Sequence, residues 1–339
     1  MTAAVLLAAV LAALLLQRLF LRHSLDWVEI DYGFAHPAAE PEGEETLFLR
    51  FRNRSWLFLP YVRYQLALPE GFGAEAADGT LWLAPRQLLL REIPLRTPGR
   101  GRYLLRSLTV WGGDFLGLEE TRTVLQHFRE LVVYPKEAVC GKLDALSGSL
   151  LGELSVRRFL FEDPVLTLGF RDYTGREPMK SIAWAQSARR GALTVKNYDR
   201  TTDPSVTVVV NVSYVGPQAG EAVERCFSLA RAVCARLERQ GVKYGLLMNA
   251  MVAGSARRAI RIPEGMGHRH FYGVLDALGR AGDSPGCPPE KLAEELLQGN
   301  GTHGAVFITP ERDADTAAAV QKLLRGGLTV VTLSSREMT

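Results

Sequence analysis

The residues whose types and spacing could do chemistry are concentrated between Arg171 and Arg200. Arg171, Arg176, Lys180, Arg189, Arg190, Lys196 and Arg200 alternate there with Tyr173, Trp184 and Tyr198. Cations interleaved with aromatic rings can grip a polyanion or an acidic protein surface. In an enzyme, Arg171, Arg189 and Lys196 would hold an anionic substrate. The same residues also have a structural reading. Arg171 with Asp172 and Lys180 with Glu177 can pair locally, and Trp184 can anchor the segment in a core. A motif that locks the segment against the α/β domain is the preferred reading, because buried Arg and Trp need such partners. Recognition of a partner is the alternative.

Other reactive residue types carry less. His268 and His270 flank Arg269, and i,i+2 spacing does not put two imidazoles on one helix face, so a solvated loop is expected there. Cys140 has no local signature of a nucleophile and reads as a buried structural thiol. The chain contains no phosphate-cradling Gly-x-x-x-x-Gly-Lys-Ser/Thr loop, no His-Glu-x-x-His, no Gly-x-Ser-x-Gly and no Cys-x-x-Cys. Such motifs carry nucleotide, zinc, acyl-transfer and redox chemistry. No catalytic residue is therefore assigned, and any ATP dependence would come from a partner.

The frame that must position these residues is long enough for about two domains: 339 residues, 47% hydrophobic and 23% charged. That composition excludes disorder, collagen and small disulfide scaffolds. Forty basic against 37 acidic residues leave +3, so no global charge recruits nucleic acid, and any electrostatic partner must act locally. No small-molecule substrate suggests itself. Cys140, Cys226, Cys234 and Cys287 are too scattered for a disulfide framework. Cys226 and Cys234 fall two turns apart on one expected helix, too far to bridge, and a reducing compartment fits best.

Ala3 to Leu16 is an apolar run of about 14 residues, short for a bilayer that needs ~20. Leu19, Phe20 and Leu21 extend it past Gln17 and Arg18, and an arginine near the end can snorkel. Residues 1–22 are thus expected to form a transmembrane anchor rather than a cleaved signal, whose leading cations are missing. With no Lys or Arg before the run and Arg18 and Arg22 at its end, the positive-inside rule puts the body in the cytoplasm. The sequons at Asn53 and Asn300 would then be chance.

Residues 24–136 carry short β-type runs, among them Leu47–Phe51, Tyr61–Leu66 and Leu88–Leu90. Turn residues separate them, which predicts a β-sandwich. Asp78-Gly79 before Thr80-Leu81-Trp82-Leu83 has the chemistry of a tight hairpin turn. Residues 137–200 read as a connector leading into the basic segment. Residues 201–339 alternate strand and helix patterns: Val206–Val212, helix Gly220–Arg239, Tyr244–Met251, Gly304–Thr309, helix Asp313–Leu324 and Leu328–Leu333. Such alternation means a mainly parallel, doubly wound sheet whose ligand crevice lies at the strand carboxyl ends, here the loop after Val212. The expected class is α+β overall.

Two stretches resemble the domain-of-unknown-function 58 family of membrane-anchored bacterial and archaeal proteins. Gly99-Arg100-Gly101-Arg102-Tyr103, then Gly113 to Leu118 and Val132-Val133-Tyr134-Pro135, are similar to its Arg-Gly-x-Tyr, Asp-Pro-Phe-Gly-Leu and Val-Tyr-Pro order, with Phe115-Leu116 in place of Pro-Phe. More specifically, Arg171-Asp172-Tyr173, Ile182-Ala183-Trp184, Ser187-Ala188-Arg189 and Val195-Lys196 keep the order and spacing of its Arg-Glu-Tyr, Ile-x-Trp, Ser-Ala-Arg and Val-Lys signature. Here Gly175-Arg176-Glu177 replaces its Pro-Gly-Asp turn, and Lys180 its arginine.

The resemblance implies a β-rich region, then the signature, then a von Willebrand factor A-like domain. It further implies association with MoxR-type AAA+ ATPases that assemble or activate other complexes. Members usually have two transmembrane helices where this chain has one. A von Willebrand A domain holds Mg²⁺ or Mn²⁺ through an Asp-x-Ser-x-Ser loop, since a hard cation needs carboxylate and hydroxyl oxygens. The matching positions are Asn211, Ser213 and Val215, where an amide replaces the carboxylate and an isopropyl group the last hydroxyl. The expectation is no cofactor, with Asn211 and Ser213 capping the loop. The whole then reads as a non-enzymatic membrane scaffold that docks an AAA+ ATPase or its client, with an anion-binding enzyme and a metal-dependent adhesion module as rivals.

Overall fold

The computed structural model describes residues 2–73, 76–114, 119–138, 167–175, 179, 182–198, 205–216, 218–252, 259–299 and 302–337. The chain divides into two compact units, residues 1–136 with 278–280, and residues 137–277 with 281–339. It is a mixed α+β protein of many sheets.

The first unit opens with helix α1 (Thr2–His23), whose stretch Leu6–His23 is long and apolar enough to cross a membrane. Strands then follow without a helix: β1 (Val28–Phe34), β2 (Ala38–Ala39), β3 (Glu44–Asn53), β4 (Leu59–Ala67), β5 (Ala76–Leu83), β6 (Leu88–Arg96), β7 (Gly101–Leu105), β8 (Leu108–Gly113), β9 (Glu120–Leu125) and β10 (Arg129–Val133). They form sheets of order β1-β3-β6, β2-β10-β7 and β5-β4-β8-β9. Along β3 every second residue is buried, the period of a strand with one face on a core. Leu47, Leu49 and Phe51 of that face meet Val62, Tyr64 and Leu66 of β4 and Leu108 and Val110 of β8 in one apolar cluster.

Asp78 and Gly79 do not form the expected turn. Both lie inside β5, where Gly79 pairs with Tyr64 of β4. The glycine is used for space, because a Cβ there would stand 2.6 Å from the Tyr64 hydroxyl oxygen. The Asn53 sequon is closed to modification in the fold: the side chain is buried, its Nδ2 donates to Leu57 O at 2.7 Å and to Ala84 O at 3.0 Å, and its Oδ1 accepts from Ser55 N at 2.9 Å. Asn300 lies outside the described residues, as do Cys140 and most of the expected connector.

In the second unit a hairpin of β11 (Thr167–Asp172) and β12 (Thr194–Tyr198) flanks the short helix α2 (Trp184–Arg190). Next come β13 (Ser205–Val210), α3 (Ala219–Arg239), β14 (Lys243–Met248), β15 (Ala250–Val252), β16 (Ile260–Gly265), α4 (His268–Arg280), β17 (Ala281–Pro285), α5 (Pro289–Gln298), β18 (Gly304–Thr309), α6 (Ala314–Arg325) and β19 (Thr329–Ser334). The main sheet has the order β16-β14-β13-β18-β19. Its members run parallel except β16, which pairs antiparallel with β14 at the edge. All six residues of β13 are buried, as a central strand covered on both faces requires. On one face Val209, Leu247 and Phe307 pack with Leu292, Ala293 and Leu296 of α5 and Ala319 and Leu323 of α6.

Two expectations change here. The strand expected to reach Met251 ends at Met248, and β15 turns away to pair antiparallel with β17. His268 and His270 open α4 instead of lying in a loop. Its first turn is tied to the sheet, since His270 Nε2 donates to Tyr244 O at 2.7 Å and the two rings lie 4.9 Å apart.

Candidate functional site

Register places one polar row at the carboxyl edge of the main sheet. Val210 of β13 is paired with Met248 of β14 and with Ile308 of β18. The residue after each is Asn211, Asn249 and Thr309, and Thr309 pairs in turn with Ser334 of β19. All four side chains are buried, so each must find hydrogen-bond partners within the protein.

Asn249 holds the centre of this row. Its Oδ1 accepts from Val212 N at 2.8 Å, while its Nδ2 donates to Asn211 Oδ1 at 2.9 Å, Ser213 Oγ at 3.0 Å and Cys287 O at 2.9 Å. A backbone N–H on one side and a backbone carbonyl on the other fix which end of the amide is which. Asn211 Oδ1 also accepts from Ser213 N at 3.0 Å, and Asn211 Nδ2 donates to Thr309 Oγ1 at 3.3 Å. Thr309 Oγ1 donates to Glu311 O at 2.8 Å and lies 3.3 Å from Thr316 Oγ1. Beyond the row, Ser213 and Tyr214 are half-buried and Val215 is fully exposed. Tyr214 folds over Gly216, where a Cβ would lie 2.7 Å from the phenol oxygen.

These residues do not fit Mg²⁺ or Mn²⁺. Asn211 Oδ1 and Ser213 Oγ are the two atoms that could ligate a cation, and both face the same amide nitrogen, whose hydrogens carry the positive charge a metal would supply. Val215 offers no oxygen and points to solvent. Among the described residues no group of three or more His, Cys, Asp or Glu side chains gathers that could hold a metal ion. The row is a satisfied polar network that fixes the strand ends; Asn211 caps the loop through Ser213 N, whereas the Ser213 hydroxyl serves Asn249 instead of the loop backbone.

The basic segment is assembled differently. Arg171 on β11 is opposite Val195 on β12, Phe170 is opposite Lys196, and Asp172 is opposite Thr194. Tyr173 is half-buried and its N–H donates to Leu193 O at 2.9 Å. Ser187 is buried at the centre: Thr194 N donates to its Oγ at 2.9 Å, and that Oγ donates to Ala183 O at 3.0 Å. Ser187 thereby ties α2 to β12. Trp184 corrects the expectation of a core anchor, because its ring is 58% exposed. Arg171, Asp172, Arg189 and Lys196 are exposed as well. Of the signature, Ser187 ties the segment to itself, α2 to β12, while Trp184, Arg189 and Lys196 face solvent. Lys180, Arg176 and Glu177 lie outside the described residues, and Tyr198 has no described side chain.

Sequence reasoning missed Asn249, Thr309, Thr316 and the Cys287 carbonyl. A signal existed: Val-Val-Val-Asn, Leu-Leu-Met-Asn and Val-Phe-Ile-Thr each end an apolar run on a polar residue. Cys226 and Cys234 are buried on α3 as free thiols, and burial pushes both well above the usual thiol range, which removes them as nucleophiles.

Comparison with protein-family models and with curated proteins gives no match. Among solved structures, the chain is 12% identical to the CARDB domain of a Pyrococcus furiosus protein, over 32% of this chain and 94% of that one, at a TM-score of 0.23. It is 16% identical to a chain of the zinc 2-glycoprotein and prolactin inducible protein complex from human seminal plasma, over 31% of this chain and 92% of that one, at 0.25. Spo0M, a sporulation control protein from Bacillus subtilis, is 12% identical over 43% of this chain and 57% of its own, at 0.19.

Proposed function

We propose that the chain is a membrane-anchored interaction protein of the domain-of-unknown-function 58 type. Helix α1 is its anchor, the first unit a β-sandwich, and the second a degenerate, doubly wound von Willebrand A-like domain facing the cytoplasm. Its role is to dock a MoxR-type AAA+ ATPase, or that ATPase's client, during assembly or activation of a complex. The observation that carries the reading is the saturated Asn249–Asn211–Thr309 row beside the exposed Val215 loop. Among the described residues the polar side chains of that row serve one another, so none of them is left as acid, base or ligand, while a projecting loop on a rigid edge is where partners bind.

The test is retention of partners from native cytosol by the full chain in lipid nanodiscs, with and without ATP, read by mass spectrometry. A nucleotide-sensitive AAA+ ATPase that is lost in Val215→Glu supports the reading. Absence of any ATPase in both states overturns it. A second reading, an anion-binding site or enzyme on the basic segment, draws on the exposure of Trp184, Arg189 and Lys196. It predicts an anionic ligand lost in Arg189→Ala/Lys196→Ala while Val215→Glu leaves it in place.

A further inference from the structure

Four of the chain's five tryptophans, Trp27, Trp56, Trp82 and Trp111, belong to the first unit, and they gather at one end of it. Val28 at the start of β1 pairs with Asn53 at the end of β3, Leu59 pairs with Leu83, and Val62 pairs with Gly112. The loop of residues 54–58, the loop of residues 84–87 and the end of β8 therefore share the end where α1 leaves. Arg54 N donates to Trp27 O at 2.8 Å, and Gly112 sits so close under Ser24 that a Cβ would be 2.8 Å from its Oγ.

What this end exposes is aromatic and cationic. Trp56 is 76% and Trp82 57% exposed, with Leu57 and Phe58 between them also exposed. The rings are held by the fold: Phe58 and Trp82 lie 5.8 Å apart, and the Arg86 guanidinium covers Trp56 at 4.7 Å. Arg63 and Arg122 cover Trp111 at 5.2 and 5.8 Å. Buried Asn53 sets the loop geometry through its bonds to Leu57 O and Ala84 O. The carboxylates nearby are Asp26, which pairs with His23, Glu29, which is opposite Arg52, Asp114, which accepts from Gln17, and Glu119 and Glu120. Arg18, Arg22, Arg54, Arg63, Arg86 and Arg122 outnumber them.

We propose that this end of the first unit is a membrane-interface dock, in which Trp56, Phe58 and Trp82 enter the headgroup zone and Arg54 and Arg86 meet lipid phosphates. The inference rests on the reading of α1 as a membrane anchor. Tryptophan and tyrosine prefer that zone because the ring is apolar and its N–H or O–H needs water, and arginine stems can follow them with the charge at phosphate level. Helix α1 brings the contact close. Gln17 donates to Asp114 and Phe20 packs on the unit's core, so the last turns of α1 lie against the protein. A helix read as the anchor therefore leaves the bilayer at this end of the unit, where flanking aromatic and cationic residues meet the interface.

The test uses the full chain in phosphatidylcholine–phosphatidylglycerol vesicles with brominated acyl chains, which quench tryptophan at short range. Single-tryptophan chains keep Trp27, Trp56 or Trp184 and carry Phe at the other positions. A roughly twofold loss of Trp56 emission with a blue shift, as for rings held at the interface, supports the dock, Trp184 remaining unquenched. Quenching of Trp27 without Trp56 overturns the dock and leaves the anchor standing, whereas quenching of neither overturns both. Burial of Trp56 that follows protein concentration in detergent and is indifferent to lipid assigns the patch to a second copy, and also overturns the dock. Should the multiply substituted chains fail to fold, Trp56→Phe/Trp82→Phe in the natural chain gives the same reading by subtraction: the quenchable share of the emission falls, or the dock is wrong.

Discussion

Asn249 Nδ2 donates to Asn211 Oδ1 across 2.9 Å, and the same Asn249 amide accepts from Val212 N through its oxygen. One side chain just past β14 thus fixes both Asn211, just past β13, and Val212 of the loop beyond it. Because it also reaches Cys287 O, three separate stretches of chain converge on one amide. A buried network of this kind is stable only while every member is satisfied.

Asn249→Asp keeps the shape and removes the donors. The new carboxylate would face Asn211 Oδ1, Ser213 Oγ and Cys287 O, all acceptors in the present arrangement, so a loss of about 3 kcal/mol is expected from a buried, unpaired charge. Asn211→Asp also buries a charge but is the milder change, since its Oδ1 already accepts from Asn249 Nδ2 and Ser213 N and the long bond to Thr309 is the one lost. Denaturant midpoints of the two variants check the order. Titration calorimetry with Mg²⁺ on Asn211→Asp checks the metal argument: no binding is expected while the Asn249 amide stays in place.

How much of this was legible beforehand follows the same line. Val206–Val210 declares itself as a buried strand because β-branched residues continue without polar alternation, and α3 because its apolar stripe repeats over many turns. Helix α4 carries the stripe as well, with Phe271, Val274, Leu275 and Leu278 at i, i+3, i+4 and i+7, and only its start is hidden, since Gly267 gives no side-chain cap. The edge strand β16 carries Pro263 in a short run, which weakens a strand reading. The Asn211 position was visible, and its meaning was not, because Asn249 lies 38 residues away and only the parallel register brings the two side by side.

Ser187→Ala separates the locking part of the signature from the exposed part. It leaves the buried Thr194 N–H without its acceptor, so a cost of about 1–3 kcal/mol is expected, localised to α2 and β12. Trp184→Ala and Arg189→Ala touch exposed side chains and should change stability by less than ~0.5 kcal/mol. Hydrogen exchange of residues 182–198 measures both effects. Any binding lost in Trp184→Ala at unchanged protection then reports a contact and not a fold defect.

Gly79→Ala tests the space argument in the first unit. The added methyl would overlap the Tyr64 ring, which is itself buried and lies 5.2 Å from Phe51 in a tilted pair. Overpacking of this kind costs about 1–3 kcal/mol. Gly79→Ala with Tyr64→Leu should recover part of the loss, and thermal denaturation of the four chains of that cycle gives the coupling. A turn at residues 78–79 would also penalise Ala, through its positive φ, but Tyr64→Leu would then recover none of the loss.

The two thiols of α3 give the chain a pH dependence whose sign is fixed. Burial raises both Cys226 and Cys234 above the unfolded value, which is about 8.5 for a free thiol. Below that pH both states hold the protons, and the thiols' contribution to stability is complete. Above it the unfolded chain releases protons that the folded chain keeps, so stability falls as pH rises toward the folded values. Between roughly pH 8 and pH 10 the denaturant midpoint of the natural chain should therefore drop more steeply than that of Cys226→Ala/Cys234→Ala. The double variant is less stable at every pH because both side chains are buried and leave cavities, so the slope and not the level is the readout. Equal slopes would mean that the thiols ionise in place and that α3 opens to water far more readily than its packing implies.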